Sequence, residues 1–444
     1  MNIFHPNRYL SPFQSIILGF AAVIMLGGFM LCLPAASATG ESAPLIDAMF
    51  TSTSAVCVTG LVVRDTATSW SPLGQAIILL LIQIGGLGVV TVAGAFTVLS
   101  GRKINLLQRS TMQEAIAAPK MGGVVKLILL IIKITLLIEL LGATILAPSL
   151  CSEFGPGKGL WYSLFHSVSA FCNAGFDLMG IKAHYSSLTS YSASPLINIT
   201  VMLLIITGGM GFLTWKDIFS NKLCIRKYHM QSKVILITTA LLIIIPAAFF
   251  FFFEFNSYPL SERILLSLFQ AVTPRTAGFN TADIAAMKES SRGIIIFLML
   301  IGGSPGSTAG GMKTTTLAVL MLSALAVFRR REAPSCFDRR LSNDAVIHAV
   351  AILMMYIILF FTTGIAISTI EGLPASICLF ETASAIGTVG LTLGITPSLG
   401  TASRLILMAL MFLGRVGGLT IIYAALSTGQ GNTAKLPQEH ITIG

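Results

Sequence analysis

A glycine followed by a bulky apolar residue recurs four times in this chain. Each copy stands behind a short helix-like stretch and ahead of a long apolar one. The segments are Cys57-Val58-Thr59-Gly60-Leu61, Cys172-Asn173-Ala174-Gly175-Phe176, Arg275-Thr276-Ala277-Gly278-Phe279 and Gly387-Thr388-Val389-Gly390-Leu391. Their glycines are 115, 103 and 112 residues apart, so the period is near one quarter of the 444-residue chain. A regular period of this kind constrains a fold more than any local propensity does. The stretches before the glycines (residues 44–56, 160–171, 261–272 and 373–386) are one-sided and too short to cross a bilayer, which takes about 20 apolar residues. The segments that follow share Gly85-Gly86-Leu87-Gly88, Gly208-Gly209-Met210-Gly211, Gly302-Gly303 and Gly417-Gly418. Close helix packing explains these glycine pairs as well as function does.

Composition names the solvent. Apolar residues make up 54% of the chain and charged ones 10%, against about 25% charged in a soluble domain. Spans long enough for a membrane lie at residues 13–33, 73–99, 124–147, 196–213, 234–253, 345–369 and 405–426, with another from residue 293 that glycines interrupt. The net charge of +10 is concentrated in three connectors. These hold Arg102, Lys103, Arg109, Lys120 and Lys126; Lys216, Lys222, Arg226, Lys227 and Lys233; and Arg329, Arg330, Arg331, Arg339 and Arg340. Alternate connectors are mixed or acidic, with Glu41, Asp47 and Asp65 in the first and Glu371 and Glu381 in the last. This positive-inside pattern places the basic segments, and both termini, in the cytoplasm. Anionic lipid or a cytoplasmic partner accounts for the basicity; nucleic acid does not. The seven cysteines form no CxxC pair, and the six histidines have no ligand spacing. Neither a disulfide framework nor a zinc site is expected, no nucleophile–base set suggests an enzyme, and no covalent cofactor is implied. A cleavable signal peptide over the first span, ending near Ala36-Ser37-Ala38, would remove a helix that the repeat requires.

The expected fold class is an all-α polytopic membrane protein. It comprises four pseudo-symmetric M1–P–M2 repeats (transmembrane helix, pore helix with filter loop, transmembrane helix) around a central pore. The units are residues 1–99 for the first, 100–219 for a cytoplasmic linker and the second, 220–328 for a linker and the third, and 329–428 for a linker and the fourth. A cytoplasmic tail follows at 429–444. Two spans per unit make the repeats parallel, which puts a path on their common axis; inverted repeats would instead form a midplane site. A dehydrated cation needs oxygens to replace its water, and rings of backbone carbonyls from four loops supply them. Glycine adopts the required backbone at low cost. The expected ion-binding residues are Val58, Thr59 and Gly60; Asn173, Ala174 and Gly175; Thr276, Ala277 and Gly278; and Thr388, Val389 and Gly390. The short helices would aim their partially negative C-terminal ends at the path.

Other polar residues fall at membrane depth. Gly302-Gly303-Ser304-Pro305-Gly306-Ser307-Thr308-Ala309-Gly310-Gly311-Met312-Lys313-Thr314 cannot hold a continuous helix. Its resemblance to a phosphate-binding loop fails, because Met312 intrudes before Lys313-Thr314 and no strand precedes it. An unwound gate below the filter is the expectation, with a passive kink as the alternative. Arg415 lies deep in the last span and is expected in the cavity beneath the filter, unless it only pairs with backbone carbonyls. Asp65, Asp177 and Asp283 are candidates for concentrating cations at the outer mouth, or are plain loop charges. Arg275 is expected to point away from the axis toward a carboxylate.

The chain resembles the membrane subunit of Ktr/Trk-type potassium transporters, in the superfamily that includes Trk, Ktr and plant HKT proteins. The resemblance covers roughly residues 10–428. It rests on Thr53-Ser54-Ala55-Val56-Cys57-Val58-Thr59-Gly60-Leu61, Thr273-Pro274-Arg275-Thr276-Ala277-Gly278-Phe279-Asn280, residues 302–316 and Gly414-Arg415-Val416-Gly417-Gly418. It implies channel-like potassium uptake across a bacterial inner membrane, potassium at the filter, a gate at 302–314 with Arg415, a homodimer, and a cytoplasmic nucleotide-binding ring of RCK type. The absence of two extra N-terminal spans favours the Ktr type. Cys57 replaces the small hydroxyl residue usual in related sequences. Four glycines, rather than a serine in the first loop, favour potassium over sodium. Two readings stay open beside it: a secondary carrier for another cation or small solute, with sodium as a coupling ion in a sodium-coupled symport, and a membrane receptor without transport.

Overall fold

The computed structural model describes residues 11–100, 104–116, 122–222, 224–331, 333–418, 420 and 424. The basic residues Arg102, Lys103 and Lys120 and the expected tail at 429–444 lie outside the described residues. The described residues are all-α apart from one small hairpin. The first repeat contains α1 (Pro12–Leu31), α2 (Leu45–Val56), α3 (Thr66–Ser69), α4 (Pro72–Leu87) and α5 (Val89–Leu99). A linker helix α6 (Leu106–Ile116) leads to α7 (Val124–Phe154), α8 (Pro156–Phe171), α9 (Pro195–Gly209) and α10 (Phe212–Asn221). Then come α11 (Met230–Phe249), which continues as a π-helical turn over Phe250–Glu254, α12 (Leu260–Val272), α13 (Glu289–Leu300) and α14 (Thr314–Phe328). Strands β1 (Ser335–Cys336) and β2 (Arg339–Arg340) pair antiparallel before α15 (Asn343–Glu371), α16 (Ala375–Gly387) and α17 (Thr401–Val416).

Local chemistry sets many of these boundaries. Proline occupies the first turn of α1, α4, α8 and α9, where its missing N–H would be unpaired anyway. Ser11 and Gln14 close a reciprocal capping box on α1. The short helices α2, α8, α12 and α16 contain 12, 16, 13 and 13 residues. At 1.5 Å per residue they reach only about 18–24 Å, short of the roughly 30 Å hydrocarbon layer. Each packs against the long helix before it: α1 on α2, α7 on α8, α11 on α12 and α15 on α16.

The ends of two long helices repeat a capping device. Glu254, at the end of the third long helix, accepts from the Lys288 N–H at 3.2 Å and the Ser291 hydroxyl at 2.6 Å, at the start of α13. Glu371, at the end of the fourth, accepts from the Gly400 N–H at 2.9 Å and the Ser403 hydroxyl at 2.5 Å, at the start of α17. In both repeats one carboxylate satisfies the N-cap amide and the hydroxyl three residues later, where a helix N-terminus favours negative charge.

Among the described residues three helices are long and apolar enough to cross a membrane: Pro12–Leu31, Met230–Glu254 and Asn343–Glu371. The segments at 73–99 and 196–213 are not straight spans. Pro72–Leu87 and Val89–Val98 meet at 92°, and Pro195–Gly209 and Phe212–Asn221 meet at 98°. The hinges are Gly88 and Gly211, at φ 87° and 93°, and Gly417 ends α17 at φ 89°. A side chain at these angles would clash with its own backbone, so the helix can turn there only at glycine. The broken third-repeat helix, expected at 302–314, therefore has bent counterparts.

Two of the acidic connector residues lie in the expected short helices. Asp47 sits in the first turn of α2, and Glu381 lies fully buried within α16.

Candidate ion pathway

The four turns after the short helices close into a ring. A Cβ placed on Gly60 would lie 3.1 Å from the Cα of Gly175. One on Gly175 would lie 3.0 Å from the Cα of Gly278, one on Gly278 3.2 Å from that of Gly390, and one on Gly390 2.9 Å from that of Gly60. In the same cyclic order the added atoms would meet the carbonyl oxygens of Ala174, Ala277, Val389 and Thr59. All four glycines have positive φ (91°, 68°, 79° and 93°), and so do the residues two places earlier, Val58, Asn173, Thr276 and Thr388 (56°, 59°, 69° and 51°). For β-branched Val58, Thr276 and Thr388 this is a strained backbone, costing on the order of 1–3 kcal/mol each. It persists because the surroundings dictate it.

Those surroundings are polar and fully buried. The Gly60 N–H donates to Ser54 Oγ at 3.0 Å, and the Gly390 N–H donates to Ser384 Oγ at 3.0 Å. Ser169, at the same offset in the second copy, donates its hydroxyl to the Phe176 carbonyl at 2.7 Å. In the third copy Thr273 takes that task on Phe279, one residue later in register. Further out, His166 Nε2 accepts the Leu178 N–H at 3.3 Å, while its Nδ1 pairs with the Tyr162 carbonyl. Glu381 accepts the Leu393 N–H at 3.1 Å and the Thr396 hydroxyl at 2.8 Å. Leu178 and Leu393 each stand three residues past a ring glycine, so these side chains hold equivalent backbone. Sequence reasoning missed both; a polar residue nine places before Gly175 and before Gly390 was the available signal. Glycines press the following helices onto the short ones: added Cβ atoms at Gly85 and Gly208, each in a glycine pair, and at Gly414 would strike the carbonyls of Val56, Phe171 and Ile386.

Residues 302–313 lie against this assembly as non-helical chain. The Ser304 N–H donates to the Gly209 carbonyl at 3.0 Å, the Thr308 N–H to the Gly208 carbonyl at 3.3 Å, and the Thr308 hydroxyl to the Phe171 carbonyl at 3.1 Å. On the other side the Gly311 N–H donates to the Gly414 carbonyl at 3.2 Å. The segment thus bridges the second and fourth repeats. Thr388 fills the space beside Gly310, so the segment touches the ring's own turn. Arg415 donates to the carbonyls of Thr308, Gly85 and Gly86, the last at 2.9 Å. One guanidinium joins the fourth repeat, the irregular segment and the first repeat. Lys313 caps the segment's own Ala309 and Gly310 carbonyls at 2.8 and 3.3 Å. A cavity of about 320 Å³ is lined by Phe20, Gly88, Pro305, Lys313, Tyr356 and Arg415 among others.

Not every expected role fits. Asp65 is a buried helix cap: its carboxylate accepts the N–H groups of Ala67 and Thr68 at 3.0 and 3.1 Å and that of Tyr185 at 2.9 Å. Asp283 is exposed, and Asp177 is half-buried beside Met179. Arg275 is buried as expected, but it reaches the Thr239 hydroxyl at 3.4 Å, and among the described residues no carboxylate pairs with it. Arg415 lines the cavity, as expected, and also makes the backbone-carbonyl pairing that was the alternative.

Four glycine turns behind four short helices close into one ring of backbone, and nearly the whole chain matches one family. Residues 5–435 fit the family model described as "TrkH: Cation transport protein". The chain belongs to the TrkH cation transport family. Among relatives of this transporter, the Potassium/sodium uptake protein of Enterococcus hirae is 40% identical, over 99% of this chain and 98% of its own. Ktr system potassium uptake protein B of Bacillus subtilis is 38% identical, over 95% and 94%. The potassium transporter TrkH from Vibrio parahaemolyticus shares the fold, with a TM-score of 0.73 at 19% identity, covering 95% of this chain and 86% of that one. The family consists of transporters rather than enzymes.

Proposed function

We propose that this cation transporter conducts potassium inward through the glycine ring, as the membrane subunit of a regulated uptake system. The carrying observation is the ring itself: each glycine's missing side chain is replaced by the next repeat's backbone, all the way round. Carbonyls of Val58, Thr59, Asn173, Ala174, Thr276, Ala277, Thr388 and Val389, with the four glycines, replace the water of a potassium ion. The repeats, at 1–99, 100–219, 220–328 and 329–428, form the four walls. Residues 302–314 are the gate, and Arg415 latches it. The relatives named as potassium uptake proteins support the choice of ion, and the Enterococcus hirae name keeps sodium in view as a coupling or activating ion.

The protein sits in the inner membrane with its termini in the cytoplasm, as the placement of the basic connectors indicates. Those connectors, including Arg109, Arg226, Arg329 and Arg340, form the docking face for a nucleotide-binding ring of RCK type beneath a homodimer. The word "system" in the names of relatives from Bacillus subtilis and Vibrio alginolyticus accords with such an assembly. The test is tracer uptake into proteoliposomes. Rubidium, as a potassium stand-in, should enter in preference to sodium, and Gly60→Ser or Gly278→Ser should each erode that preference. Equal entry of both ions in the parent would reject the proposal.

A further inference from the structure

The repeats act as controls for one another, and one residue departs from the pattern at a cost. Ser52, Ser167 and Thr382 each stand eight residues before a ring glycine, and each donates its hydroxyl to a carbonyl on the long helix behind it. The acceptors are Ile24 at 2.7 Å, Glu139 at 2.6 Å and Phe360 at 3.4 Å. The same level of the helix therefore carries an apolar residue in the first and fourth repeats and a glutamate in the second. Packing does not require the acid there, and a carboxylate at membrane depth is expensive.

Glu139 is only 3% exposed, and its carboxylate is fully engaged. Oε2 accepts from Gln83 Nε2 at 3.2 Å, on α4 of the first repeat. Oε1 faces the Cys172 thiol at 3.8 Å, and that thiol lies 3.7 Å from Gln83 Oε1. Cys172 is the residue at which α8 ends and the second ring turn begins. An added Cβ on Gly86 would fall 2.6 Å from its sulfur, and Arg415 donates to the Gly86 carbonyl. One polar cluster thus joins the base of a ring turn, the neighbouring repeat and the residue that holds the irregular segment.

We propose that Glu139 is a selectivity-determining positioning residue. Through Cys172 and Gln83 it holds Asn173-Ala174-Gly175 in the geometry that discriminates potassium from sodium. It does not touch the ion; it fixes the turn whose carbonyls do. The inference rests on the ring being the ion filter, and the experiment separates the two.

Rubidium and sodium tracer uptake would be measured in proteoliposomes for the parent, Glu139→Leu, Glu139→Gln, Cys172→Ala and Gly175→Ser, beside thermal unfolding of each. Leucine mimics the apolar siblings, and losing a carboxyl that is costly at membrane depth offsets the contacts to Gln83 and Cys172 that go with it. The expected result is a sodium-to-rubidium uptake ratio raised about fivefold or more in Glu139→Leu, at an unchanged melting temperature. Glu139→Gln, which keeps an oxygen acceptor, should stay near the parent. A Glu139→Leu protein with the parent's ratio, while Gly175→Ser loses discrimination, overturns the inference and leaves the filter standing. Unchanged discrimination in Gly175→Ser overturns the filter and the inference with it. Should Glu139→Leu fail to fold, Cys172→Ala decides: a raised ratio supports the positioning role, and a parental ratio rejects it.

Discussion

A Cβ on Gly390 would lie 2.9 Å from the Cα of Gly60, so the last turn of the chain closes directly on the first across 330 residues. Neither glycine can take a side chain without opening the ring, because φ is positive at both and the obstructing atoms are backbone. Gly390→Ser should therefore damage ion discrimination as much as Gly60→Ser. We expect the potassium preference over sodium to fall about tenfold or more in each, a change of about 1.4 kcal/mol in relative barrier. Competitive tracer uptake, normalised to inserted protein, checks this. A serine variant at either position that keeps full preference would take its glycine out of the path.

The proposed latch at Arg415 makes a different forecast. Its guanidinium holds the carbonyls of Thr308, Gly85 and Gly86 together. Glutamine at this position loses the charge and most of these bonds, which releases residues 302–313 from the first repeat and loosens them from the fourth, where the Gly311 N–H still donates to the Gly414 carbonyl. Unidirectional rubidium uptake should rise several-fold in Arg415→Gln, with little change in the sodium-to-rubidium ratio. A fall in uptake with intact insertion would mean that the arginine braces the path rather than blocks it. Shortening the 302–314 segment should raise uptake in the same way, provided that the protein inserts normally.

The outer seam predicts a stability effect. Asp47 accepts from Arg64 and from Arg404, each at 2.7 Å, which ties the first short helix to the start of the last repeat's final helix. The side chains of Asp47 and Arg404 are 12% and 17% exposed, so this pair is largely desolvated. Breaking such a pair costs about 3 kcal/mol, and less is expected from the Arg64 arm, which is 33% exposed. Asp47→Asn should lower the melting temperature in detergent by several degrees. Arg404→Ala should do the same, and the double variant should fall well short of the sum. Strict additivity would show that the two residues act independently.

The short helices and ring glycines were legible because they rest on local rules that repeat: a glycine where φ must be positive, behind a one-sided helix too short to span. The bends at Gly88 and Gly211 were not legible. A glycine in an apolar run looks the same whether it permits a hinge or a close helix contact, and Gly85 beside Gly88 does one while Gly88 does the other. The bonds of Asp47 and Glu381 were not legible either, because their partners, Arg404 and the Leu393 N–H, are distant in sequence or are backbone groups. Glu139 went unnoticed for the same reason: Gln83 and Cys172 meet it only through folding.

Asp177, beyond the second ring glycine and outside the membrane-crossing helices, gives a pH test. Enclosure pushes its carboxyl from 3.8 up to about 7; the Met179 N–H opposes the rise, and the charge of Asp65 adds to it. With the native value raised, the folded chain holds a proton that the unfolded chain releases. The stability from this group is complete below about pH 4 and is lost as pH climbs through about 7. Asp177→Asn should flatten that decline. Melting temperatures between about pH 5 and 8 should fall a few degrees less in the variant than in the parent. Parallel curves would show that the carboxyl does not titrate differently on folding.

The central claim is that potassium occupies the ring, and anomalous diffraction from crystals grown in rubidium or thallium tests it most directly. The account predicts a peak on the common axis of Gly60, Gly175, Gly278 and Gly390, within reach of the carbonyls of Thr59, Ala174, Ala277 and Val389. It also predicts loss of that peak when sodium replaces the heavy cation. Well-ordered heavy-cation density elsewhere in the molecule, with none at the ring, would contradict it.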